Sequence, residues 1–197
     1  MTKQRKFLSL VLALTLLLCG CAGSGMIDNP KTMADGSAWD DTWTNLGGRL
    51  GAEAPGAPFQ LLSSNGRLEG MELHYATWVC GQEQKLDKDT YVYDGQIYLM
   101  TESCGTQEQA AETLAQWRGQ LTGDFAITKE AAFTAGGVEY TLVFYDCLAS
   151  DSHFSRGVTA LGLWQDLVII TDIACVEGLE LDLAGTMEQF LQGIHLV

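Results

Sequence analysis

Leu167-Val168-Ile169-Ile170 is apolar at every position. A strand with one wet face alternates apolar and polar residues, so a strand apolar on both sides must be covered on both. This run therefore belongs in the middle of a sheet, with material packed on each face. The rest of the chain has to supply its neighbours and its covers. Gly157 to Leu163 precedes it through a tight Gln165-Asp166 connection. Before that, Phe125 to Phe133 and Val138 to Asp146 are joined by Gly136-Gly137, and Val138, Tyr140, Leu142 and Phe144 face one way. These four segments read as consecutive antiparallel strands. Upstream, PFQLLSS reads as a short strand. Met71, Leu73, Tyr75, Thr77 and Val79 alternate with Glu72, His74, Ala76 and Trp78, which reads as another. Cys80 to Asp89 is polar and loop-like. Asp94-Gly95 between two aromatic and β-branched runs (Tyr91–Tyr93 and Gln96–Met100) predicts a hairpin turn.

Two segments have the spacing of covering helices. Thr106-Gln-Glu-Gln109 is a capping box, and Ala110, Leu114, Trp117 and Leu121 follow on one stripe. A helix over 106–121, closed by Gly123, is the expectation. Leu183, Met187, Phe190, Leu191 and Ile194 share a stripe on a C-terminal helix. Trp39, Trp43, Leu46 and Leu50 also fall at helical spacing, but Gly47-Gly48 oppose a stable helix there, so 39–50 is read only as a docking segment. Strands, a helix, four antiparallel strands and a helix make an α+β fold: an antiparallel sheet sandwich flanked by helices.

The segments AETLAQWRGQL, FAITKEAAF, GGVEYTLVFYD, RGVTALGLWQDLVIITDIA and MEQFLQGIHLV, in that order, resemble the Mog1/PsbP-like fold family. The likeness covers about 105–197 well and 59–104 loosely, and it is one of element order and apolar spacing. It implies a non-enzymatic accessory or binding domain, and it carries over no functional residue.

The N-terminus reads as an address. Lys3, Arg5 and Lys6 precede Phe7 to Leu18, an apolar run that spans about 18 Å as a helix, against about 30 Å of bilayer core. That is the pattern of a secretory signal. Leu18-Cys19-Gly20-Cys21 resembles the lipobox of bacterial lipoproteins, in which the signal is cut before the cysteine and the thiol takes a diacylglyceryl group. The resemblance assigns lipidation to Cys21, since Cys19 would place the bulky Leu18 just before the cut. Two acyl chains make a stable anchor. Residues 1–20 are thus expected to be a signal peptide, 21–38 a flexible tether rich in Gly, Ser, Asp and Asn, and 39–197 a single domain. The expected location is the extracytoplasmic face of the cell membrane.

Charge narrows the partners. The chain carries 11 Lys+Arg against 25 Asp+Glu, a net −14. Loss of Lys3, Arg5 and Lys6 with the leader takes this to −17. Such a surface repels a nucleic-acid backbone and anionic headgroups, so no nucleic-acid partner is expected. The lipid is the tether, and the domain faces solvent.

Few residues suggest chemistry. With Cys19 lost and Cys21 lipidated, Cys80, Cys104, Cys147 and Cys175 remain. An even count in an exported chain invites two disulfides, with Cys147–Cys175 and Cys80–Cys104 as the preferred pairing and four buried free thiols as the alternative. No pair has the CxxC-like spacing of a zinc site. His74, His153 and His195 are scattered. His153 lies beside Asp151 and Ser152, but no GxSxG supports a hydrolase. Asp87, Asp89 and Asp94 fail the calcium-loop pattern, because Tyr91 stands where a ligand is needed. Trp39, Trp43, Tyr91, Tyr93 and Tyr98 are candidates for an aromatic ligand surface, although strand aromatics mostly pack on sheets. No catalytic residue, metal or cofactor is assigned. The sequence suggests a non-catalytic binding or accessory module with an unidentified protein or small-molecule partner. The alternatives are a structural partner in an envelope complex or an envelope hydrolase.

Overall fold

The computed structural model describes residues 28–67, 72–86, 88, 90–149 and 152–197. The leader, Cys21, Met71, Asp87, Asp89 and Asp151 lie outside the described residues. The elements in chain order are β1 (Thr44–Leu46), β2 (Leu50–Ala52), β3 (Gln60–Arg67), β4 (Leu73–Lys85), β5 (Tyr91–Ser103), α1 (Gln107–Asp124), β6 (Phe125–Ala135), β7 (Val138–Cys147), β8 (Arg156–Trp164), β9 (Leu167–Cys175), α2 (Leu183–Gln192) and β10 (Ile194–Leu196).

The large sheet has the order β3-β4-β5-β9-β8-β7-β6, and every neighbouring pair is antiparallel. β9 is the fourth of seven strands, the central place its two-sided apolar run requires. The fold is α+β, with one layer on each face of this sheet. On one face Trp78, Ile97, Ile173 and Val158 form a row across four strands. They pack under Met187, Phe190 and Leu191 of α2 and under Leu46, Leu50 and Leu196 of a three-stranded sheet, β1-β2-β10. Trp78 meets Phe190 edge-on at 5.2 Å. Burying each of those α2 side chains contributes about 1.5–3 kcal/mol. On the other face Tyr98, Met100, Val143, Leu161, Val168 and Ile170 pack with Ala110, Leu114, Trp117 and Leu121 of α1. Among the described residues, no helix is long and apolar enough to cross a membrane.

Local signals explain several boundaries. Thr106 caps α1 by accepting from the Gln109 N–H at 3.2 Å. Gly136 and Gly137 take φ of +56° and +80°, as a tight hairpin between β6 and β7 demands. Gly123 does not end α1, which runs through it to Asp124 and leads directly into β6 at Phe125.

Further expectations are corrected. The hairpin is not at Asp94-Gly95, and 80–85 is not a loop: β4 extends to Lys85, and the chain reverses over 86–90, where the Leu86 N–H donates to the Thr90 carbonyl at 3.0 Å. Asp94-Gly95 lies inside β5, opposite a bulge at Gly81 (φ +81°), and Asp94 Oδ2 accepts from the Gln82 N–H at 2.7 Å. A Cβ on Gly95 would stand 2.8 Å from Cys80 Sγ and 3.0 Å from Leu179 Cδ2. The glycine therefore serves close approach rather than a turn. The spacing over 39–50 is not helical but belongs to the β1–β2 hairpin, in which Leu46 pairs with Leu50. Finally, residues 28–38 are not a free spacer. Met33 is buried, the Ala34 N–H donates to the Leu196 carbonyl at 2.8 Å, and Asn45 Nδ2 donates to the Asp28 carbonyl at 3.4 Å. This stretch is laid along the small sheet.

Candidate functional site

One carboxylate interrupts the apolar central strand. Every residue of β9 is buried except Asp172, which keeps partial exposure. By register it faces α1 and sits in a row with Thr77 on β4, Tyr98 on β5 and Thr159 on β8. Thr159 Oγ1 donates to Asp172 Oδ1 at 2.7 Å, and the Tyr145 hydroxyl donates to Oδ1 at 2.9 Å and Oδ2 at 3.1 Å. Tyr145 reaches from β7 across β8 because residue 157 is glycine. A Cβ there would lie 2.4 Å from the Tyr145 hydroxyl oxygen and 2.6 Å from the Ile173 carbonyl oxygen.

The electrostatics follow from burial. Burial pushes the Asp172 carboxyl up to about 6, against the hydrogen bonds from Thr159 and Tyr145, which favour the charged form. The Tyr145 phenol is driven well above its ordinary range, first by burial and then by the neighbouring carboxylate, so it stays protonated and keeps donating. Among the described residues no Lys, Arg or His forms an ion pair with Asp172; the ion pairs there are Arg49–Asp166, Arg118–Glu130 and His195–Glu53. Thr77 and Tyr98, 1% and 8% exposed, have hydroxyls without a hydrogen-bond partner among the described residues. Burial also raises the Tyr98 phenol. The site is thus a carboxylate without a counter-ion, flanked by hydroxyls. It can hold a proton or a cation.

The residues singled out from sequence do not converge. Cys80, Cys104, Cys147 and Cys175 are all free thiols. Cys80 lies opposite Gly95, whereas Cys104 follows the end of β5 nine residues further on, about 30 Å away along the strand. A Cys80–Cys104 bridge, which needs Cα atoms within about 7 Å, is excluded by that distance. Cys147 and Cys175 end β7 and β9 with β8 between them, about 10 Å apart at ordinary strand spacing. Burial raises the thiols of Cys80, Cys104 and Cys147. Among the described residues, no group of three or more His, Cys, Asp or Glu is placed to hold a metal ion.

His153 Nε2 meets the Tyr93 carbonyl oxygen at 2.8 Å. A carbonyl only accepts, so this nitrogen carries the proton and is not available as a base. His195 stacks on Trp43 with centroids 3.9 Å apart and pairs with Glu53 at 2.8 Å. Trp39 meets Trp43 edge-on at 5.6 Å. Trp39 and Trp43 pack over Gly51. Of the candidate aromatics, Tyr98 alone belongs to the Asp172 row. Asp172, Tyr145 and Thr159 were not marked by the sequence. The available signal was a single charge in an otherwise apolar strand, LVIITDIAC.

No family model matches this chain, and no curated protein matches it. Among solved structures it is similar to the solution structure of cyanobacterial PsbP (CyanoP) from Synechocystis sp. PCC 6803, at 12% identity and a TM-score of 0.46, over 90% of this chain and 100% of that one.

Proposed function

We propose that this chain is a lipid-anchored extracytoplasmic protein whose single domain is a non-catalytic binding or accessory module. The observation that carries the anchor is Leu18-Cys19-Gly20-Cys21 after a basic start and a short apolar run. Docking of the chain from Asp28 onward adds a constraint. Only residues 22–27 separate Cys21 from Asp28, which caps the span at about 25 Å. The domain then rides close to the bilayer while its acidic surface is repelled by anionic headgroups. Binding rather than catalysis is favoured because no histidine among the described residues hydrogen-bonds the Asp172 carboxylate or its Thr159 and Tyr145 hydroxyls, and because His153 Nε2 donates to the Tyr93 carbonyl instead.

A structural role in an envelope complex is the second reading. It is favoured by Leu86 and Tyr91 at the β4–β5 turn and by Leu148 after β7, all exposed at one end of the sheet. The test is the mass of the mature N-terminus together with membrane fractionation. A chain beginning at a diacylglyceryl-modified Cys21, and release of a folded Cys21→Ala variant from membranes, are expected. An intact leader or an unmodified terminus overturns the anchor.

A further inference from the structure

Residues 28–38 are docked on the small sheet by few ties. Met33 is the one buried residue of the segment. Bonds inside the segment shape it around that side chain. Thr32 and Ala38 form a bridge, the Met33 N–H donates to the Ser37 carbonyl at 2.9 Å, and Asp35 Oδ1 accepts from the Ser37 N–H at 2.9 Å and its hydroxyl at 2.7 Å. A plain spacer has no use for a closed turn with an apolar side chain held inward. The bonds to the domain lie at accessible places. The Ala34 N–H donates to the Leu196 carbonyl on β10, an outer strand of the small sheet. Asn45 Nδ2 donates to the Asp28 carbonyl and, at 3.0 Å, to Asn29 Oδ1, while Asn29 Nδ2 donates to Asp41 Oδ1 at 3.2 Å. Water can take over each of these bonds when the segment lifts. β9 is the contrast, hydrogen-bonded on both sides and buried at every position but one. A segment with one buried side chain and exposed backbone bonds opens locally, without global unfolding.

We propose that residues 28–38 are a releasable strap that sets how far the domain can stand from its lipid anchor. Docked, the strap leaves residues 22–27 as the span, with a ceiling of about 25 Å. Released, it adds its own length, and residues 22–38 raise the ceiling to about 60 Å. The strap lies in the chain between Cys21 and the β1–β2 hairpin, so a partner that holds the domain away from the bilayer pulls on these ties and favours the released position. The inference rests on the anchored reading and adds a second position to its tether.

The test is hydrogen exchange of the full chain in non-ionic detergent, read by mass spectrometry over 29–38 and 167–175. Strap amides should be protected at least about tenfold over a free peptide, yet exchange at least about 100-fold faster than those of β9. Met33→Ala removes the buried side chain, and Ala34→Pro removes the N–H given to Leu196. Each should speed exchange of the strap by about tenfold and leave 167–175 unchanged. On a supported bilayer, neutron reflectometry should find a wider water gap beneath both variants than beneath the unmodified chain. Strap exchange in step with β9, strap exchange as fast as in a free peptide, or an unchanged gap under variants whose strap has opened overturns the proposal. The mass of the N-terminal peptide in the same spectra reports the state of Cys21. An unmodified Cys21 removes the anchor, whereas exchange judges the strap by itself, so the two failures are told apart.

Discussion

Replacing Asp172 by Asn is expected to stabilise the protein at neutral pH and to remove one part of its pH dependence. The native carboxyl sits at about 6, where the ordinary value is 3.8. A raised carboxyl favours the protonated folded state. Its contribution to stability is fully present below pH 3.8 and is lost as pH rises through 6. Above pH 7 the difference amounts to about 3 kcal/mol against the native state, at about 1.4 kcal/mol per pH unit. Lowering the pH from 7.5 to 5.0 should return about half of it. In Asp172→Asn the side-chain oxygen can still accept from Thr159 and Tyr145. Urea unfolding of both chains at pH 7.5, 6.0 and 5.0 is the assay. The free energy of the native chain, taken relative to the Asn variant, should rise by about 1–2 kcal/mol across that range. Contributions common to both chains cancel in the comparison. Parallel pH profiles, or an Asn variant less stable at pH 7.5, would refute the assignment of an uncompensated buried charge.

Gly157→Ala should destabilise by at least 1–3 kcal/mol, because its Cβ meets both Tyr145 and a β9 carbonyl; chemical denaturation measures this. Thr106→Ala should cost about 1 kcal/mol through loss of the α1 cap, read from the same unfolding curves. Cys80, Cys104, Cys147 and Cys175 should react with a thiol reagent in urea without prior reduction, and protection of any pair would contradict the separations seen here. Asp166 is held below the ordinary carboxylate range first by its hydrogen bond to Arg49. Arg49→Met should therefore weaken the native chain mainly above pH 4, with the difference vanishing as the carboxyl protonates in acid.

What was legible in the sequence followed from short-range rules. The apolar Leu167–Ile170 run placed β9 at the centre, the Thr106 capping box started α1, and Gly136-Gly137 turned β6 into β7. The errors arose where one local signature has two physical uses. Asp-Gly suits a tight turn, but at 94–95 the aspartate closes a bulge and the glycine admits Cys80 and Leu179. Polar composition made 28–38 resemble a spacer, although the buried Met33 and backbone bonds to β10 hold it in place. The Asp172 site was illegible for a different reason. Tyr145, Thr159, Asp172, Tyr98 and Thr77 come from five strands, and only the register of the sheet brings them to one face. Nothing in the spacing of 77, 98, 145, 159 and 172 along the chain encodes that meeting.

The charge at 172 needs a reason that the hydrogen bonds do not supply. If position 172 existed to satisfy Thr159 and Tyr145, an amide oxygen would accept from both without placing an anion in a buried sheet. A valine, with Thr159 and Tyr145 replaced in turn, would pack the face as the rest of β9 packs it; well-packed apolar substitutes for buried charge are often neutral or stabilising. The carboxylate instead costs on the order of 3 kcal/mol at neutral pH, a large share of the 5–15 kcal/mol that ordinarily holds a domain together. That cost is carried on the central strand, whose neighbours are hydrogen-bonded on both sides, and its removal is what Asp172→Asn measures.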